Sequence, residues 1–196
     1  MKIIFAIMAY LVGAIPSGFL IFLFSDKKDI RGFGSQSTGA TNVLRLKGWA
    51  HAVPVMLIDV MKGALPVFLA LQLFQDRQFA MICGFLAVLG HCFPVYIKFK
   101  GGKGVATMIG VFSILAYKPL IVAIAVFALV VILTRYVSLG SLLATLSLVP
   151  SSYLFAKDFD ILIMSCMIFA LVAYRHRGNI QRLAAGTERK FGQRER

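Results

Sequence analysis

Apolar residues fall into seven long runs, near 3–24, 52–74, 79–97, 104–117, 119–134, 138–156 and 160–174, parted by short stretches dense in glycine and basic side chains. A helix needs about 20 mainly apolar residues to cross a bilayer. The pattern therefore predicts an all-α integral membrane protein with seven transmembrane helices. Runs four and five are separated only by Tyr117, Lys118 and Pro119. Joined, they would exceed one bilayer thickness by about half, which predicts a tight turn at Lys118-Pro119. No internal repeat, low-complexity tract or long linker divides the chain. Residues 1–196 thus read as one seven-helix membrane domain.

Composition agrees with the pattern. The chain has 196 residues, 59% of them hydrophobic, and a mean hydropathy of +0.84. Soluble domains are nearer half apolar, and after seven crossings no length remains for a separate soluble catalytic domain. The net charge of +13 must crowd into loops and tail, which should attract phosphate-bearing partners. Its distribution sets the orientation. Sixteen basic residues fall on one side: Lys27, Lys28, Arg31, Arg45, Lys47, Lys98, Lys100, Lys103, Arg135, Arg175, Arg177, Arg182, Arg189, Lys190, Arg194 and Arg196. Only Lys2, Arg77, Lys118 and Lys157 fall on the other, and Lys62 lies within a span. The basic side is cytoplasmic by the positive-inside rule, which places the N-terminus outside and the C-terminus in the cytoplasm. The first run is too long for a signal-peptide core and lacks an obvious cleavage site before Asp26 to Asp29, so it should stay as a membrane helix. Cys83, Cys92 and Cys166 form neither a CxxC pair nor a Cys/His cluster with metal spacing and read as small core residues.

Three glycine-bearing loops then share the cytoplasmic face. The first, Arg31 to Arg45, packs three glycines and four hydroxyls ahead of a helical turn. Glycines let backbone N–H groups approach a phosphate closely, and a helix start adds a favourable dipole. Gly34, Gly39 and Thr41 match Walker A spacing, but Ala40 stands where that motif needs lysine, so the loop reads as a phosphate cradle without nucleotide hydrolysis. The second loop, Lys98 to Thr107, puts glycine on both sides of Lys103, as delivering a lysine onto a phosphate would require. The third cluster joins Arg135-Tyr-Val-Ser138 to the tail from Tyr174 to Glu188. If the tail continues the last helix, Arg175, Asn179 and Arg182 share one face, either closing a pocket or contacting lipid headgroups.

Asp59 and Lys62 lie three residues apart in mid-span, where helical neighbours meet. They form either a mutual pair supporting the bundle or a functional site. His91, in Gly90-His-Cys-Phe-Pro94, is either a packed helix-end residue or a donor to the site; it is assigned to the supporting layer. Glycerolipid acyltransferases often carry His-x4-Asp, but here that position holds Met56 after His51, Tyr96 after His91 and Gln181 after His176. With no evident protein base, the chemistry requires an activated donor, the protein supplying position and charge.

Taken together, Gly34-Ser-Gln-Ser-Thr-Gly-Ala-Thr-Asn42, Gly90-His-x-x-Pro94 through Phe99-Lys-Gly-Gly-Lys-Gly-Val-Ala-Thr107, Arg135-Tyr-Val-Ser138 and Tyr174-Arg-His-Arg-x-Asn-Ile-x-Arg182 resemble the bacterial acyl-phosphate:glycerol-3-phosphate acyltransferase family. The likeness runs over residues 1–192 and includes Leu57 to Gly63. It implies a multi-pass enzyme of the bacterial inner membrane with its site facing the cytoplasm. The enzyme would move an acyl group from acyl phosphate to the 1-hydroxyl of glycerol 3-phosphate, giving lysophosphatidic acid and phosphate in the first acylation of phospholipid synthesis. The donor's phosphate would accept the proton, and no metal, nucleotide or nucleic acid is involved. The implied partners are the two substrates, membrane lipid, and the enzyme that makes acyl phosphate. By the same resemblance Ser35, Arg45, Lys103, His176 and Asn179 are catalytic. Ser37, Thr41, Asn42, His91, Gly101, Gly102, Gly104 and Ser138 bind substrate, and Glu188 is structural.

The chain departs from the family's usual pattern at Gln36 and Ser37, where glycine and asparagine are usual, and at Gly178, where glutamate is frequent. The expectation is that the Gln36 amide and Ser37 hydroxyl replace the lost contacts. The competing class, a transporter of a phosphorylated metabolite, would show repeats and acids at the midplane, whereas these glycine motifs sit at one face.

Overall fold

Every one of the seven apolar runs is helical, but the first does not form one continuous rod. The structure, a computed structural model, describes residues 1–192; Arg194 and Arg196, counted above on the basic side, lie outside the described residues. Within them the secondary structure is all helical. Lys2–Gly13 (α1) and Ser17–Asp26 (α2) are bent by 42°. Pro16 has no N–H and its ring clashes with a preceding helical turn, so the chain breaks over Ala14 to Pro16 inside what reads as one run. Ala40–Lys47 (α3) is a short helix after the first glycine loop; Trp49–Phe74 (α4) is long enough to cross a bilayer, as is Arg77–Cys92 (α5) once the following turn to Ile97 is included. Val105–Leu115 (α6), only 11 residues, is followed by Tyr117–Thr134 (α7), Val137–Ser151 (α8) running into a π-helical turn at Ser152–Ala156, Phe159–Arg175 (α9) and Arg177–Ala184 (α10).

Among the described residues, four helices are long and apolar enough to cross a membrane, or up to six when each bent pair is taken as one span. That makes this an integral membrane protein. At 1.5 Å per residue α6 is about 16 Å long, roughly half the hydrocarbon thickness. The turn between α6 and α7 is at Ala116, with φ −158°, and not at Lys118-Pro119. Both of those residues lie in the first turn of α7, where proline is tolerated because its missing N–H would be unpaired anyway.

The chain forms two compact units, Met1 to Val111 and a second beginning at Phe112. In the first, α1 packs on α5 and α4, and α2 and α3 pack on α4. Glycines make these contacts close. A Cβ on Gly13 would overlap the Ala87 carbonyl, and one on Gly90 would overlap that of Tyr10. Lys2 pairs with Asp76 at the end opposite the glycine loops. In the second unit α8 packs between α7 and α9. Of the cysteines, Cys83 and Cys92 are buried, whereas Cys166 is on the exposed face of α9 and is not a core residue.

Candidate active site

The first glycine loop rests on an apolar cushion of Phe22, Ile30, Val43, Ala52 and Val55. It begins with a 3-10 turn at Ile30–Gly32, capped by Asp29, whose side chain accepts the Arg31 N–H. The Arg31 guanidinium forks back onto both Asp29 oxygens at 2.6–3.0 Å, and its Nη1 donates to the Ile97 carbonyl at 2.8 Å. Ile97 belongs to the 3-10 turn that opens the second loop, so one side chain ties the two glycine loops together. These hydrogen bonds hold the Asp29 carboxyl below its usual range, against a weaker desolvation effect, and raise Arg31.

Buried Asn42 closes the first loop. Its Oδ1 accepts the Ser35 N–H at 2.9 Å, and its Nδ2 donates to the carbonyls of Phe33 at 3.2 Å and Ser37 at 2.9 Å. The Ser37 hydroxyl accepts the Gly39 N–H. The helical turn expected from the sequence is α3, starting at Ala40 after the Gly39 cap. Thr41 and Arg45 stand one turn apart on one of its faces. Ser35, Ser37, Thr41 and Arg45 are all partly exposed.

The second loop lies on His91. The Gly102 N–H donates to the His91 carbonyl at 3.1 Å. A Cβ on Gly101 would overlap that carbonyl and the Pro94 ring, while one on Gly102 would overlap His91 Nε2. Only glycine allows this approach, which is the physical content of the Gly-Gly pair. Lys98, Phe99 and Gly104 take positive φ, and Lys103 is partly exposed between buried Gly102 and Gly104.

Beneath the loop, Asp59 Oδ1 accepts from Ser17 Oγ at 2.6 Å and pairs with Lys62 Nζ at 2.7 Å, and His91 Nδ1 lies 3.5 Å from the same oxygen. Lys62 also donates to the Ile15 carbonyl at 2.8 Å, where α1 and α2 break. Asp59 and Lys62 are thus a buried pair, but one that also reaches a histidine. The His–carboxylate pair missing from local spacing is present in space.

In the second unit, buried Glu188 gathers the third motif. Its Oε1 accepts from Ser138 Oγ at 2.8 Å and Asn179 Nδ2 at 2.7 Å, and its Oε2 accepts from Arg182 Nε at 2.8 Å. Burial pushes this carboxyl up, but those three donors outweigh it and hold the group below its usual value. His176 is buried, its Nδ1 2.9 Å from the Val172 carbonyl. The tail does not continue the last span. It bends by 64° at His176, which leaves Arg175 on α9 while Asn179 and Arg182 turn to Glu188. The chain then returns to the α7–α8 corner, where the Phe191 N–H donates to the Arg135 carbonyl at 2.6 Å.

Of the residues singled out in the sequence, the first unit therefore gathers Ser35, Ser37, Thr41, Asn42, Arg45, His91, Gly101, Gly102, Lys103 and Gly104 on its two loops and the helix ends beside them. The second gathers Ser138 and Asn179 on Glu188. Ser17, Asp29 and Arg31 were assigned no site role from the sequence. Only Asp29 and Arg31 carry a local signal, an acid two residues before an arginine at a turn.

The sequence pattern of the family described as glycerol-3-phosphate acyltransferase matches residues 3–186. A glycerol-3-phosphate acyltransferase of Thermoanaerobacter pseudethanolicus is 43% identical over 190 residues, covering 96% of this chain and 94% of that protein. Its counterpart in Staphylococcus aureus is 40% identical over 201 residues, covering 97% and 98%. Among solved structures, PlsY (YgiH), an integral membrane glycerol 3-phosphate acyltransferase, superposes in its glycerol 3-phosphate form with a TM-score of 0.92 at 38% identity over 97% of this chain and 96% of that one. Its lysophosphatidic acid form gives 0.87 at 36% identity over 97% and 95%.

Proposed function

Because the chain belongs to the glycerol-3-phosphate acyltransferase family, we propose that it transfers a fatty acyl group from acyl phosphate to the 1-hydroxyl of sn-glycerol 3-phosphate. The hydroxyl oxygen attacks the acyl carbonyl carbon, and the carbon–oxygen bond to phosphate breaks. The departing phosphate carries off the hydroxyl proton, leaving lysophosphatidic acid. The observation that carries this reading is the Arg31 bridge to the Ile97 carbonyl. It places two glycine loops of the phosphate-cradling kind side by side, as a reaction between two phosphorylated substrates needs.

Ser35, Arg45 and Lys103 hold substrate phosphate and stabilise charge as the carbonyl is attacked, with Ser37 and Thr41 on the same rim. The backbone of Gly101, Gly102 and Gly104 shapes the cradle. Asn42 acts by closing the first loop, and His91 by supporting the second. In the second unit Ser138, His176 and Asn179 contribute to substrate binding, Glu188 fixing the first and last of these. The donor phosphate is the base. His91 is the histidine next to a carboxylate, yet its Nε2 side is covered by the Gly102 backbone, and a general base must reach the hydroxyl proton. The reaction as written needs neither metal nor nucleotide.

The same reading gives a bacterial cytoplasmic-membrane protein with seven crossings, the bent α1–α2 pair and short α6 each completing one. It is a single catalytic domain with its glycine loops facing the cytoplasm and is supplied by the enzyme that makes acyl phosphate. The test is phosphate release by the purified protein in detergent, given acyl phosphate with and without glycerol 3-phosphate and no added metal. Release that depends on the acceptor and yields lysophosphatidic acid is expected. Transfer from acyl-CoA with acyl phosphate inert would overturn the donor assignment.

A further inference from the structure

We propose that Ser17, Asp59 and Lys62 are positioning residues for the acceptor phosphate, acting through the His91 ring on the Gly101 to Gly104 backbone. This rests on the proposed function, in which this backbone shapes a phosphate cradle, and it assigns that cradle to the acceptor, glycerol 3-phosphate.

Asp59 and Lys62 are 1% and 4% exposed inside an apolar helix, where charges are costly unless they serve a purpose. They sit on the same helix, so their mutual bond joins no two elements. The joining is done by what else they reach. Ser17 on α2 donates to Asp59, Lys62 donates to Ile15 at the α1–α2 break, and His91 on α5 approaches Asp59 through Nδ1. The carboxylate gives the imidazole a direction that an apolar neighbour of the same volume would not. The other edge of that ring lies against Gly102, whose N–H is bonded to the His91 carbonyl, so a rotated ring would move the glycine backbone. One residue beyond Lys62, Gly63 lies against the Thr107 carbonyl so closely that a Cβ would overlap it. Helix α4 therefore reaches the second loop at two points, through His91 at Gly102 and by backbone contact at Thr107.

Removing one partner of a buried ion pair leaves an uncompensated charge, whereas replacing both with apolar groups of similar volume is often tolerated. The informative variants are therefore double. Asp59→Leu with Lys62→Met removes the hold on His91, while Asp59→Asn with Lys62→Met keeps an oxygen facing the ring. Both should melt within a few degrees of the parent protein in detergent. The Leu/Met variant should raise KM for glycerol 3-phosphate about tenfold, with kcat and KM for acyl phosphate within threefold. The Asn/Met variant should bring the acceptor KM back to within threefold of the parent. An unchanged acceptor KM in the Leu/Met variant, or equal rises for both substrates, overturns the proposal. If that variant does not fold, Ser17→Ala carries the test. It should raise the acceptor KM about threefold, and no change overturns the idea. Gly102→Ala, measured alongside, separates the two readings. If it leaves the acceptor KM unchanged, the assignment of the backbone cradle itself fails. If it raises that KM and the Leu/Met variant does not, only the positioning role fails.

Discussion

The Ser35 amide donates to the Oδ1 of Asn42 at 2.9 Å, and this bond turns the first glycine loop back onto the helix that follows it. Asn42 Nδ2 donates both its N–H groups, to the Phe33 and Ser37 carbonyls. The side chain therefore replaces a piece of backbone ladder in a segment that has none, and it fixes where the Ser35 backbone sits.

Asn42→Ala leaves one buried amide and two carbonyls to find other partners. Each such bond is worth about 0.5–1.5 kcal/mol net, so the loop should loosen by about 2–3 kcal/mol. Thermal melting in detergent should show a lower midpoint, and kcat/KM should fall at least tenfold. Asn42→Asp keeps the oxygen that Ser35 uses but loses both donations, and should retain more activity than the alanine variant. If alanine is kinetically silent, the loop does not depend on this closure.

Gln36 takes φ +58°, a left-handed conformation that costs an L-residue roughly 1–2 kcal/mol. It stands where the resembling family has glycine. Gln36→Gly relieves that strain and in return loosens the unfolded chain by about 0.5–1 kcal/mol. Stability should therefore hold or rise slightly. Gln36→Val, β-branched and poorly suited to positive φ, should lower the melting midpoint by several degrees. Kinetics separate strain from contact. If the Gln36 amide replaces a lost backbone contact, Gln36→Gly combined with Ser37→Asn should change a substrate KM, and an unchanged KM refutes that role.

The seven apolar runs and the two glycine loops were legible in the sequence because both signals are local. Apolarity accumulates along a window, and glycine spacing reports where backbone must come close. The misses share a different cause. Asp59 and His91 are far apart in the chain, so no motif spacing could place them 3.5 Å apart. Apolar counts run straight through Pro16, although the proline itself was a breaker. The turn at Ala116 gives way to a helix that accepts Pro119 in its first turn. Asn42 carries the amide of a ligand residue, yet whether an amide faces substrate or its own loop is decided by the fold around it.

Arg31 bonds Asp29 and the Ile97 carbonyl at once, a geometry that lysine cannot copy with one ammonium. The Asp29 pair is partly exposed, and such pairs contribute little, so the consequence of Arg31→Lys lies in the lost link between loops. The melting midpoint should move by only a few degrees. If both glycine loops hold substrate as proposed, KM should rise severalfold for both substrates, because the two loops lose a common tether. Asp29→Asn, which keeps an oxygen for the Arg31 amide, should be milder. A change confined to one substrate would show that the loops act separately.

Glu188 offers a test by pH. Its carboxyl ionises below its usual value in the folded protein, because hydrogen bonds from Asn179, Ser138 and Arg182 outweigh the opposing effect of burial. A depressed carboxyl stabilises the fold above the unfolded-state pKa of about 4.3 and loses that contribution as pH falls through the folded value. The parent protein should therefore lose melting temperature more steeply below about pH 4.5 than Glu188→Gln, and the two curves should converge in acid. Near neutral pH the Gln variant should be the less stable. Its amide can still accept from Ser138 and Asn179 through oxygen, but it turns an N–H toward the Arg182 donor. Parallel curves across that range would mean that the Glu188 charge contributes nothing to the tail's anchorage.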